Sequence, residues 1–280
     1  MMEWEALEGQ AQQHRVPTVW LLREKFQLAR LYAMADQDAF TSLVFQGGTA
    51  LRLCHGNPRF SEDLDFVCRA NHLIDRGPIE WESLVQKLHN TFPWMEDLTS
   101  RTQKATPNLQ RIILASHLPN QSAFRVHVEI ARVPAYDVIT QPLTAPQGTF
   151  FVAVESSEEI LADKIVAVGL RPYIKGRDVW DISFLRTQGR QLPIDYIPQK
   201  LGDYGSNAHV FRNQVVQRAA ALRHPNVQAQ LRDELARFVP AHRMSALTER
   251  DAWTEMAEQT ASLLDTVRIH PAIAPKEPSR

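Results

Sequence analysis

The chain has 280 residues, 44% of them hydrophobic, and a formal net charge of −1; this supports a real core in one large domain or two modest ones and excludes global disorder. No run reaches the roughly 18 apolar residues of a membrane span, the acidic, polar opening MMEWEALEGQ does not read as a secretory signal, and the near-neutral balance advertises no global basic field for nucleic acid. Cys54 and Cys68 fit neither a metal spacing nor a disulfide framework, so the expected compartment is the cytoplasm.

Residues 17–38 read as a helix, with Pro17 suited to a first-turn position and Val19, Leu22, Phe26, Ala29 and Ala33 at helical spacing. Residues 42–46, SLVFQ, form a short apolar strand candidate. Gly47 and Gly48 follow, then a short helix that ends near Gly56, where Asn57 and Pro58 break it. In DLDFV, 63–67, Leu64 and Phe66 face one way and Asp63, Asp65 and Val67 the other. Residues 81–92 read as an amphipathic helix. Residues 111–118 and 124–133 flank the turn chemistry of Pro119, Asn120, Gln121 and Ser122, and so read as an antiparallel hairpin. Phe124, Val126, Val128 and Ile130 share one of its faces; Arg125, His127 and Glu129 share the other. Residues 149–155 are one more strand candidate.

The texture then changes. Ser156 with Glu159 is a capping-box signature, followed by a helix that Pro172 stops. Further helices are expected at 176–188, 207–223, 226–238 and 249–268, with a loose tail beyond. The outline is α+β: a mixed β-sheet flanked by helices over 1–155, a helical domain over 156–270 packed on it, and a flexible tail over 271–280.

A glycine pair between strand and helix lets backbone N–H groups approach an anion, and Thr49 adds a hydroxyl; a plain tight turn is the alternative, and no Walker phosphate loop is present. Asp63 and Asp65 project from one strand face and repel unless a cation lies between them. Their oxygens suit Mg²⁺. Glu129 joins them if its strand lies beside DLDFV, and three carboxylates can hold two ions about 4 Å apart for in-line phosphoryl transfer. Arg59 and Ser61 are candidate phosphate contacts, though Ser61 suits a turn equally. Lys164 is a candidate phosphate-binding charge, with Asp178 and Asp181 one turn apart on a helix; a solvated, ion-paired helix surface is the competing reading. Arg212, Arg218, Arg223, Arg232, Arg237 and Arg243 could form a basic face, solvated arginines being the commoner explanation.

GGTALRL, RFSEDLDF and the later EEILADKIVAV…KGRDVWDI together resemble the AbiEii/AbiGii nucleotidyltransferase toxins, of the DNA polymerase β-like superfamily, from about residue 20 to 190. The resemblance implies a mixed sheet flanked by helices and transfer of a nucleotidyl group from an NTP. It implies that Gly47, Gly48 and Thr49 hold the triphosphate, that Asp63 and Asp65 bind Mg²⁺, that Lys164 is the active-site lysine, and that Asp178 is the later aspartate. Two positions depart from the pattern: Gln46 stands where a basic residue often precedes the glycines, and Glu129 where aspartate is more usual. The resemblance further implies a toxin with a cognate antitoxin or transcriptional repressor, and a tRNA 3′ end as acceptor. A protein or aminoglycoside-like acceptor, or a non-catalytic NTP- or RNA-binding module, are the alternative readings.

Overall fold

The computed structural model describes residues 3–69, 79–119, 122–249 and 251–273. The expected turn residues Asn120 and Gln121 lie outside that set, as do residues 274–280 of the expected tail. The chain divides into two compact units, Met1–Gly56 with Phe60–Glu155, and Asn57–Arg59 with Ser156–Arg280.

The first unit opens with α1 (Trp4–His14) and α2 (Thr18–Ala35), then β1 (Leu43–Gln46), α3 (Gly47–Cys54), β2 (Leu64–Arg69) and α4 (Trp81–Thr91). The strands β3 (Thr99–Thr106), β4 (Leu109–His117), β5 (Ala123–Ala135), β6 (Val138–Ala145) and β7 (Gly148–Glu155) complete it. The sheet order is β3-β4-β5-β2-β1-β7-β6. It is mixed: β1 pairs antiparallel with β2 and parallel with β7, while β2 pairs parallel with β5.

Composition explains the order. Leu43, Val44 and Phe45 are all fully buried, as a central strand covered on both faces requires. Phe66 packs on Phe45 with centroids 5.4 Å apart. On the core face, Phe26 of α2 meets Phe92 and Phe124 at 5.5 and 5.3 Å. The two edge strands lack such residues. TSRTQKAT of β3 is almost wholly exposed, and β6 carries Pro142, whose missing N–H an edge position tolerates. Neither strand was expected from the sequence: β3 shows no apolar alternation, and the alternation of Ile139, Leu143 and Ala145 in β6 is interrupted by Gln141 and shares the strand with Pro142. The helix α1 was also missed; it buries only Leu7 and Ala11, with Trp4 packed edge-on against Trp94 at 5.5 Å, too sparse a stripe to register as periodicity.

The second unit is helical: α5 (Ser157–Leu170), α6 (Gly176–Thr187), α7 (Tyr196–Asp203), α8 (Ala208–Leu222), α9 (Pro225–Leu235), α10 (Ala241–Glu249) and α11 (Ala252–Ile269). The cap of α5 is half the expected box. Ser156 Oγ accepts from the Glu159 N–H at 3.1 Å, but the Glu159 carboxylate accepts from Lys200 Nζ of α7 at 2.8 Å. The short helices α7 and α10 were not expected. Residues 271–273, expected within the flexible tail, form a 3-10 turn that buries Ile273.

Two glycines differ in what a side chain would meet. A Cβ at Gly176 would lie 2.0 Å from the Leu231 carbonyl oxygen, whereas one at Gly9, inside α1, would meet nothing within 4 Å. Gly176→Ala is therefore expected to lose about 1–3 kcal/mol through forced displacement of α9 backbone. Gly9→Ala is expected to gain roughly 0.5–1 kcal/mol by restricting the unfolded chain. Urea titrations of the two variants beside the parent chain check both signs.

Candidate active site

The first unit builds a corner where β1 ends and α3 begins. Gln46 of β1 pairs with Asp65 of β2, and Asp65 pairs with Glu129 of β5. Residues in register on neighbouring strands project to the same side. Asp65 and Glu129, far apart in sequence, are thus side by side. Gly47 has φ +81°, and a Cβ there would lie 2.7 Å from Asp65 Oδ2. The glycine is required on both counts: its conformation disfavours L side chains, and the space belongs to the aspartate.

Asp63 sits one residue before β2. Its carboxylate Oδ1 lies 3.0 Å from His127 Nδ1, on β5. Its carbonyl accepts the Thr49 hydroxyl. Thr49 is fully buried, so the hydroxyl expected to meet a triphosphate instead braces the glycine corner to the aspartate strand. Ser61 is half-buried, and its carbonyl accepts from Gln27 Nε2 at 3.2 Å. Glu129 accepts from Arg111 Nε of β4 at 2.8 Å, and the same guanidinium reaches it through a second nitrogen. Asp63, Asp65 and Glu129 are oxygen donors of the kind a hard divalent ion takes, but their carboxylate oxygens do not all lie within 4.8 Å of one another, with Asp63 turned to His127 and Glu129 to Arg111. The Arg111 and Glu129 side chains are 38% and 32% exposed, so that pairing is open to exchange.

The second unit gathers a different constellation. Lys164 of α5 places Nζ 3.0 Å from Asp178 Oδ1 and 2.8 Å from Asp181 Oδ2, both on α6. Arg171 closes on the other Asp178 oxygen. Arg59 clasps Asp181 with Nε at 2.6 Å and a terminal nitrogen at 2.5 Å. Asn57 Nδ2 donates to Asp181 Oδ1 at 2.8 Å, and Trp180 Nε1 donates to Asn57 Oδ1 at 2.9 Å. Asp178 and Asp181 are 1% and 0% exposed, which overturns the reading of this helix as a solvated surface. Burial alone would raise both carboxyl pKa values. Lys164 and Arg171 override it and hold Asp178 well below the usual carboxylate range; Arg59 and Lys164 hold Asp181 below it.

The expected site residues thus fall into two groups. Gly47, Gly48, Thr49, Ser61, Asp63, Asp65 and Glu129 belong to the first unit, and Arg59, Lys164 and Asp178 to the second. Arg59, expected at a phosphate, is a buried counter-ion for Asp181. The sequence reading missed Arg111, whose signal was available: a cation at a strand position followed directly by the apolar run Ile112, Ile113 and Leu114. It missed Asn57 as well, and nothing local marks that residue as more than a helix breaker. The expected basic face is partly consumed internally, since Arg223 pairs with Glu258 and Asp265, and Arg218 donates to the Arg171 and Pro172 carbonyls.

A family model described as the nucleotidyl transferase AbiEii toxin of a type IV toxin–antitoxin system matches residues 29–266. None of the curated proteins matches the sequence. The solved structure of MenT4, a nucleotidyltransferase toxin from Mycobacterium tuberculosis H37Rv, aligns with a TM-score of 0.54 at 17% identity, covering 96% of this chain and 98% of that one. A putative nucleotidyltransferase from H. pylori aligns at 0.51 and 18% identity, covering 90% and 98%. JHP933 from Helicobacter pylori aligns at 0.50 and 18%, covering 88% and 91%. At these identities the likeness is one of fold.

The buried network makes a stability prediction. Asp181→Ala leaves the Arg59 guanidinium buried beside Lys164 without its carboxylate, and is expected to cost about 3–5 kcal/mol. The pH sign follows from the depressed carboxyls: their stabilisation is complete above the unfolded value of about 3.9 and fades as pH falls below it. Asp181→Asn is accordingly expected to be less stable at neutral pH and to lose stability less steeply below about pH 4. Urea midpoints collected across that range read out both effects; an unchanged slope would discard the carboxylate as the titrating group.

Proposed function

Since the chain belongs to the AbiEii nucleotidyl transferase toxin family, we propose that it moves a nucleotidyl group from an NTP to the hydroxyl of a tRNA 3′ end, with Mg²⁺ as its divalent ion. The activity is that of a nucleotidyltransferase, and the family implies an antitoxin partner. One observation carries the site reading: the register that sets Asp65 beside Glu129 at the Gly47 corner.

In the reaction the acceptor oxygen bonds to the α-phosphorus while the bond to the β-phosphate bridging oxygen breaks. Pyrophosphate leaves with that electron pair, and the hydroxyl proton passes to solvent. Asp63, Asp65 and Glu129 would hold the metal ions, whose chemistry is to neutralise phosphate charge and clamp the attacking and leaving oxygens. Gly47 and Gly48 begin α3, and their N–H groups, unsatisfied by the helix itself, would face the nucleotide phosphates. Thr49 fixes the spacing between that helix start and Asp63 through its hydrogen bond. In the second unit, Lys164 is the fixed cation that the family resemblance assigns to catalysis, and Asp178 and Asp181 hold its ammonium in place.

The acceptor is the finer part of the proposal, and labelled nucleotide tests it. Each NTP labelled at the α-phosphate is incubated with tRNA, with total protein and with an aminoglycoside. Label is expected on tRNA, lost at least about 100-fold in Asp65→Asn with folding intact. Label on protein or aminoglycoside alone would reassign the acceptor. Transfer that persists in Asp65→Asn would remove the carboxylate site from the reaction.

A further inference from the structure

In the second unit, residues 171–175 join α5 to α6. This segment is short and held from several sides. Its backbone is extended at Arg171 (φ −66°, ψ 150°) and at Lys175 (φ −108°, ψ 135°), and Pro172 restricts φ between them. Arg218 of α8 donates from one terminal nitrogen to the Arg171 and Pro172 carbonyls at 2.7 and 3.0 Å. The Gly176 N–H donates to Glu234 Oε2 of α9 at 2.7 Å. Ile174 is buried at 9% exposure, yet Tyr173 beside it is 63% exposed. The fixed segment thus presents a large aromatic ring to solvent.

Cations gather around that ring. Lys175 Nζ lies 5.9 Å from the Tyr173 centroid. Arg177 and Arg237 both lie over the Phe238 ring, at 5.4 and 5.8 Å. The neighbouring carboxylates are engaged elsewhere: Asp178 by Lys164 and Arg171, and Glu234 by the Gly176 N–H. Among the described residues, neither Lys175 nor Arg177 makes an ion pair. Burial pushes the Lys175 ammonium below its ordinary value, and Arg177 and Arg171 push it further; Asp178 and Glu234 oppose this without reversing it. The segment is short of negative charge, which a bound anion supplies.

An exposed ring beside unpaired cations suits single-stranded nucleic acid. An unpaired base offers a face that stacks on an aromatic side chain, and each linkage carries a negative charge. Bases inside a duplex are already stacked and offer no such face. An acidic polypeptide answers the cations but brings no base to the ring. Resting on the nucleic-acid acceptor reading above, we propose that residues 171–177 bind the single-stranded end of the acceptor. Tyr173 stacks on an unpaired base, and Lys175 and Arg177 take phosphodiester oxygens of the same strand. Arg171 ties this segment to Asp178, the partner of Lys164, so the strand is held beside that ion pair. The contact requires no metal ion and is measurable with the chain alone.

Fluorescence anisotropy on the full-length chain, in EDTA and without NTP, tests this with a labelled single-stranded RNA of roughly ten nucleotides. Circular dichroism confirms folding, which an exposed side chain such as Tyr173 does not control. The single strand is expected to bind more tightly than its blunt duplex. Tyr173→Ala is expected to weaken that binding about 5- to 100-fold with the salt slope unchanged, and Tyr173→Trp to retain it. Lys175→Gln is expected to flatten the log–log salt slope by about 0.7. In the nucleotide-labelling assay, Tyr173→Ala is expected to raise the KM for tRNA and to leave the KM for NTP alone. RNA affinity and a tRNA KM that ignore Tyr173→Ala overturn this site, while transfer to tRNA by the parent chain keeps the acceptor reading. Equal affinity for duplex and single strand also overturns it. So does a preference for polyglutamate that Lys175→Gln removes, which assigns the segment to an acidic protein. Transfer by the parent to protein or aminoglycoside alone overturns the acceptor reading and this proposal together.

Discussion

The parallel pairing of β2 with β5 is the constraint on which the candidate site depends. Side chains alternate along a strand, so a slip of one residue would carry Glu129 to the core face and bring a hydrophobic neighbour out beside Asp65. The register is held from behind. Leu64 and Phe66 of β2, and Val126, Val128 and Ile130 of β5, are buried on the opposite face, and a slip would expose all of them. Burial of one face therefore determines the chemistry of the other. β1 adds the third side: Gly47 turns away from the sheet at the point where Asp65 needs room.

Electrostatics then decides how such a site can exist in a folded chain. Three acidic groups on one sheet face repel, and each repulsion counts against folding. His127 against Asp63 and Arg111 against Glu129 provide partners from within the sheet. These pairs are half-exposed and can let go. The ion network of the second unit is the opposite case. Arg59, Lys164, Asp178 and Asp181 are each no more than 8% exposed, and burial of a charge is tolerated only when each partner is present. That difference separates a rearrangeable charge cluster from one that defines a unit. It also explains why residues 57–59 belong with helices found a hundred residues later: Arg59 and Asn57 both end on Asp181.

The sequence by itself determined the elements whose signals are local. An apolar run, a glycine pair and an alternating DLDFV mark β1, α3 and β2, because a buried strand and a tight corner each demand a residue type at a given place. Ser156 marks the start of α5 for the same reason, since the cap bond closes within three residues. The candidate carboxylates Asp63 and Asp65 were legible as an exception, acids on a strand with an apolar back. What only the tertiary structure decided is pairing between distant segments. That Glu129 stands next to Asp65, that Arg111 holds Glu129, and that Arg59 lies against Asp181 are facts of strand order and helix packing. The edge strand β3 was invisible for a related reason: its place is fixed by hydrogen bonds to β4's backbone, which every residue offers alike and no side-chain pattern records.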